Sequence, residues 1–82
     1  MEKEVGEVSS FFSHVNVAAI KLSGKLRIGD TILIKGHTTN IEMPVERIEI
    51  DRIAVKEAGK GSHIGLKVPE KVRPNDKVYV VE

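Results

Sequence analysis

The sequence predicts an all-β fold, a small closed or nearly closed barrel of six to seven short strands, and three observations carry that prediction. Val and Ile together number 20 of the 82 residues whereas Leu and Ala together number 8, and β-branched side chains, already restricted at χ1, favour pleated strands over helices. Short runs of alternating apolar and polar residues recur between turn signals, and no stretch shows a helical period. A chain of this length buries only about 60% of the surface its unfolded form exposes. It reads as one domain over residues 1–82, with a single modest core and no room for a full-size two-sheet sandwich, which favours a small barrel.

Taken in order, Val5 to Phe12 reads as a first strand in which Val5 and Val8 have opposite parity, so that Gly6 is expected to mark a bulge. From His14 to Leu22, Ala18, Ile20 and Leu22 share one face and Val15, Val17 and Ala19 the other, as in a strand covered on both sides for part of its length. Ser23-Gly24-Lys25 is a turn signal, and Leu26 to Asp30 lead through Gly29 into a strand from Thr31 to Lys35 with Ile32 and Ile34 on one face. His37 to Asn40 form a polar loop. Pro44 is barred from a central ladder position, so a new strand is expected near Val45, with Ile48 and Ile50 on one side.

After Asp51 the apolar parity switches to Ile53 and Val55, which requires a turn or bulge at Asp51-Arg52. Ala58 to Ser62 is a further turn, Ile64, Leu66 and Val68 alternate with polar residues, and Pro69 and Pro74 bracket a connection to a last strand from Lys77 to Val81. The chain also echoes itself once. Lys25-Leu26-Arg27-Ile28-Gly29-Asp30 followed by Thr31 to Ile34 aligns with Lys71-Val72-Arg73-Pro74-Asn75-Asp76 followed by Lys77 to Val80. Gly29 and Asn75 are residue types that tolerate positive φ, so each segment is expected to form the same corner aiming a strand.

Several chemistries are excluded or disfavoured. There is no cysteine, hence no disulfide, thiolate metal site or cysteine nucleophile. Gly24-Lys25 and Gly59-Lys60 lack the upstream glycine and the following hydroxyl of a phosphate loop, so no nucleotide triphosphate hydrolysis is expected. His14, His37 and His63 lie on separate segments without metal-ligand spacing, and no metal or other cofactor is expected. No apolar run approaches the roughly 18 residues that cross a bilayer, and the charged start Met1-Glu2-Lys3-Glu4 is followed by no apolar h-region; a cytoplasmic protein without membrane contact is expected. Absence of glutamine, few asparagines and abundant Lys, Glu, Val and Ile lean toward a thermophile.

The formal net charge is only +1, yet the charges are unevenly spread. Residues 52–77 carry seven cations, among them Lys56, Lys60, Lys67, Lys71 and Arg73, against three anions, whereas residues 42–51 carry four anions against Arg47 alone. Such a basic half suits RNA phosphates, and an ordinary solvated surface explains it equally. Glu46 shares parity with Ile48 and Ile50 and is placed to line the mouth of the fold, or to pair with a neighbouring cation.

The order Gly6-Glu7-Val8, Val17 to Leu22, Leu26 to Thr39, Glu57-Ala58-Gly59-Lys60-Gly61, Ile64 to Val68 and Lys71 to Tyr79 resembles the second, β-barrel domain of translational GTPases such as elongation factor Tu, over nearly the whole chain. It is most similar to small stand-alone archaeal proteins described as translation-elongation-factor-like, and similar barrels occur as the C-terminal module of collagenase-like peptidases. The resemblance implies a small antiparallel Greek-key barrel. It also implies contact with the aminoacyl end of tRNA through a glutamate matched by Glu46, while Ser62 and His63 stand where that family has an acidic residue and Asn. The expected function is a non-enzymatic binding module contacting RNA or a ribosome-associated partner through Glu46, Arg47, His63 and the cations Lys56, Lys60, Lys67, Lys71 and Arg73. The alternative is a protein-interaction subunit that completes a partner enzyme, as the peptidase barrels imply.

Overall fold

A computed structural model describes residues 2–81. Ten strands run in chain order: β1 Glu2–Phe12, β2 Val17–Leu22, β3 Leu26–Arg27, β4 Thr31–Lys35, β5 Asn40–Pro44, β6 Ile48–Ile50, β7 Ile53–Val55, β8 Glu57–Ala58, β9 His63–Lys67 and β10 Lys77–Val81. Eight form one antiparallel sheet in the order β5-β4-β10-β1-β2-β9-β6-β7, and β3 with β8 forms a separate two-stranded sheet. Ile41 on the edge strand β5 and Ile48 toward the opposite edge belong to one apolar cluster with Val8, Ile20, Leu22, Ile32, Ile34, Leu66 and Val78. The sheet therefore rolls around a shared core. Its dimensions, 31 × 28 × 20 Å, are too thick for a single flat layer. No helix of the described residues is long and apolar enough to cross a membrane.

Strand number and closure differ from expectation. Instead of six or seven strands in a closed or nearly closed barrel there are ten in two sheets, and no ladder joins the edge strands β5 and β7 among the described residues. The segment before Pro44 is itself a strand, because β5 pairs only with β4 and an edge tolerates a residue without an N–H; Pro44 ends it opposite Thr31. β2 begins at Val17 rather than His14, since residues 13–16 form the turn of the β1–β2 hairpin with Asn16 at φ 54°. The split at Asp51-Arg52 is as expected, with both residues at positive φ in the manner of a two-residue hairpin turn. β7 reaches the core only at its end: Val55 packs against the buried cluster, whereas Ile53 is 68% exposed.

The odd spacing of Val5 and Val8 has a local cause. Val5 has no partner between the Glu4–Tyr79 and Gly6–Val78 pairs, and Ser9 none between Val8–Ile20 and Ser10–Ala19. These two bulges, one toward each neighbour, bury both valines despite their opposite parity. Gly6 sits beside the first bulge because a Cβ there would come within 2.9 Å of Ile20 and of the Lys21 carbonyl.

The internal echo is structural. The Arg27 N–H donates to Asp30 Oδ2 (3.0 Å), and the Arg73 N–H to Asp76 Oδ2 (2.9 Å). Gly29 and Asn75 hold φ of 99° and 77°. Each turn then grips a valine by two backbone bonds. The Gly29 N–H donates to Val45 O and the Val45 N–H to Asp30 O, while the Asn75 N–H donates to Val8 O and the Val8 N–H to Asp76 O, all four at 2.8 Å. The strands that leave these turns, β4 and β10, pair with each other so that Leu33 faces its own counterpart Tyr79. A local two-fold axis thus passes between them, relating β5 to β1 as well.

Asp76 is 5% exposed and its carboxylate lies against Gly36, where any Cβ would overlap it. Gly36→Ala is expected to destabilise the fold by about 1–3 kcal/mol through overpacking. Asp76→Ala should cost about 1.5–3 kcal/mol by orphaning the Arg73 N–H, and Asp30→Ala less, because Asp30 is only half-buried. Denaturant unfolding of the three variants measures this; equal losses at Asp30 and Asp76 would refute the ranking.

Candidate docking surfaces

Three close ion pairs between separate segments occupy much of the charge near β1, β3 and β4. Lys77 Nζ meets Glu7 Oε1 at 2.6 Å between ladder partners, Lys35 Nζ meets Glu2 Oε1 at 2.8 Å, and Lys25 Nζ meets Glu57 Oε1 at 2.9 Å. The hydrogen bond from Lys25, reinforced by its charge, holds the Glu57 carboxyl below its ordinary range, and the hydrogen bonds to Glu7 and Glu2 raise the ammonium pKa values of Lys77 and Lys35. All are solvated pairs that add little stability individually. Lys35 also lies 5.6 Å from the centroid of the Tyr79 ring.

The residues expected to form one site are divided among several places. Glu46, Arg47 and Lys67 do come together, in a cleft of about 450 Å³ between residues 43–47 and 66–69. Met43, Val45, Leu66 and Val68 supply its apolar wall. Glu46 is in the link between β5 and β6 rather than on a strand, because Pro44 ends β5 and the Val45 backbone is turned into the Gly29 corner. Arg47 Nε donates to Glu49 Oε2 at 2.8 Å. One carboxylate and two cations on an apolar wall can bind a ligand, but they include no nucleophile and no acid–base pair.

Lys71 and Arg73 line a different groove with Ser10, Phe11 and Phe12, about 640 Å³ in volume. Lys56 borders a third depression with Arg27, Ile28 and Glu57. Lys60 sits in the turn before β9, and His63 opens β9 opposite Lys21, both exposed. His14, His37 and His63 remain on separate turns and strand ends, and among the described residues no three His, Asp or Glu gather as a metal site. The apolar partners of these grooves, above all Phe12 at 47% exposure, were not among the expected site residues. The signal was present: adjacent Phe11 and Phe12 on a strand must face opposite sides, so one of them points away from the core.

The class this fold defines is a small, rolled, antiparallel all-β domain with shallow grooves. No family model matches the chain. It is 42% identical over 80 residues to an uncharacterized protease of Methanocaldococcus jannaschii, covering 96% of this chain and 20% of that protein. It is 44% identical over 77 residues to a collagenase of Porphyromonas gingivalis, covering 92% of this chain and 21% of that one. The chain thus spans about one fifth of the length of the curated relatives it matches. Among solved structures, the C-terminal domain of a Geobacillus thermoleovorans protein assigned as a U32 peptidase superposes with a TM-score of 0.89 at 17% identity, over 95% of this chain and 91% of that domain. A selenomethionine form of the same domain gives 0.88.

These relatives overturn the translation-factor resemblance: the matches are a protease, collagenases and a peptidase domain, not elongation factors. The features that carried it, a glycine- or asparagine-containing corner feeding an alternating strand, are what a small antiparallel sheet requires to turn, and they specify no partner. The reading of the basic half as an RNA-binding or ribosome-contacting face falls with it. Lys56, Lys67 and Lys71 border three separate depressions.

Because the Glu57 carboxyl is depressed below its ordinary value of 4.5, its contribution is present above the unfolded-state value and is lost as pH falls through the folded one. Glu57→Gln should lower Tm slightly at neutral pH and leave it unchanged once pH is well below that range. A difference that persists undiminished in acid would show that Glu57 does not act through its charge.

Proposed function

We propose that this chain acts as a non-catalytic β module of a peptidase-like enzyme, completing the protein that carries the reaction by docking to it. The observation that carries the reading is the 42–44% identity to proteins named as protease and collagenase, extended over nearly all of this chain and about one fifth of theirs. The grooves support it, since they offer apolar walls with a few charges and no reacting groups. In this reading substrate chemistry belongs to the remaining four fifths of the relatives, and the module supplies position or stability.

The Methanocaldococcus jannaschii relative, prepared without the segment that matches this chain, is the defined partner for a test. Mixed with this chain, it should elute as a stoichiometric complex in size-exclusion chromatography with light scattering, with a higher Tm than either component. This chain alone should leave gelatin uncleaved. Gelatin cleavage by the chain alone, or separate elution of two folded components, would refute the reading.

A further inference from the structure

The two symmetry-related turns differ in a way their shared architecture does not explain. At the first, β8 lies across β3, and the Glu57 carboxylate opposite Arg27 reaches Lys25 at 2.9 Å and Arg27 Nε at 3.9 Å. At the second, the equivalents Lys71 and Arg73 are exposed and take part in none of the ion pairs among the described residues. Beside them is the 640 Å³ groove, with Phe11 and Phe12 on its other wall. Val15, whose N–H donates to the Phe12 carbonyl at 3.2 Å, is 46% exposed at the tip of the same hairpin. A half-exposed aromatic ring next to two cations that join no ion pair among the described residues, with an exposed valine on the same hairpin, has the composition of a contact surface rather than of a solvated one.

Backbone pairing is not what this groove offers. Pro74 stands where Ile28 donates its N–H to the Lys56 carbonyl, and proline has no N–H to give. Val72 is buried and the Arg73 N–H is committed to Asp76. Recognition here is therefore by side chains: a carboxylate for the two cations and an apolar group for Phe12.

We propose that the groove between Phe12 and the two cations Lys71 and Arg73 docks an extended acidic segment of the peptidase-like protein that the module completes. A glutamate or aspartate bridges Lys71 and Arg73 as Glu57 bridges Lys25 and Arg27, and a neighbouring apolar side chain lies on Phe12. The identity of the partner rests on the function proposed above. The chemistry of the occupant rests on the Glu57 precedent within this chain and on charge complementarity.

The test uses a short synthetic peptide in which glutamate alternates with leucine, a control peptide with lysine in place of glutamate, and a single-stranded RNA oligonucleotide, each titrated against the whole chain by heteronuclear NMR. The acidic peptide should shift amides of residues 10–12 and 71–74, with an affinity that weakens as salt is raised. Lys71→Glu together with Arg73→Glu should reduce that affinity about tenfold or more, and Phe12→Ala should reduce it without changing its salt dependence. If the charge-reversed chain fails to fold, Lys71→Gln with Arg73→Gln replaces it, with the same loss expected.

Shifts scattered elsewhere, equal binding of the lysine peptide, preferential binding of the RNA, or no binding of the acidic peptide would overturn the proposal. The charge-reversed chain is also mixed with the truncated relative. Undiminished complex formation there would sink the groove while leaving the module reading intact. Peptide binding at the groove without any complex from the unaltered chain would do the opposite.

Discussion

Two aspartate side chains, each folded back onto the N–H three residues earlier, set the corners from which β4 and β10 depart. The carboxylate satisfies a donor that the turn would otherwise strand, and the residue before it takes the positive φ that redirects the chain. Each corner then holds a buried valine by two backbone bonds, Val45 for one and Val8 for the other. The rest of the molecule follows from that pair of grips: β4 and β10 lie antiparallel about a local two-fold, β5 and β1 flank them, and their inward Ile and Val residues close one core. Asp76 is the more demanding of the two, being buried against a glycine that cannot acquire a side chain without displacing it.

Symmetry of this kind also exposes what is not symmetric. The chain places Lys25 and Arg27 beside one corner and Lys71 and Arg73 beside the other, and among the described residues only the first set forms side-chain ion pairs, with Glu57 of β8. The second set faces the tip of the β1–β2 hairpin, where Phe12 and Val15 are left partly in water. Proline at position 74 has no N–H to give where Ile28 donates its own to the Lys56 carbonyl, so the strand contact made at the first corner is not repeated in the same form at the second.

Much of the fold was legible because its signals are local. The strands at 31–35 and 77–81, the turn at Asp51-Arg52, the bulge near Gly6 and the echo around Asp30 and Asp76 each follow from parity, β-branching or a residue's tolerance of positive φ. β5 was missed because a proline excludes a central position but not an edge, and position in the sheet is not a local property. The two-residue strands β3 and β8 are too short to show alternation at all. Of the expected site residues, Glu46, Arg47 and Lys67 converge because their segments are brought together beside β9, whereas Lys71 and Arg73 are carried to a separate groove by the second corner. Functional resemblance misled for a related reason: strand-and-corner features shared by many small sheets indicate how a chain turns, not what it touches.

By itself the sequence determined an all-β chain with one core, where its corners fall, and which valines and isoleucines of most strands face inward, because side-chain period and φ preference act between near neighbours. Only the tertiary structure decided that two of those corners are related by a two-fold axis, that one is capped by Glu57 and the other left open, and that Phe12 stands beside Lys71 and Arg73. Those relations join residues some thirty to sixty positions apart in the chain, and no local pattern encodes a contact whose partners are brought together only when the sheet rolls up around its core.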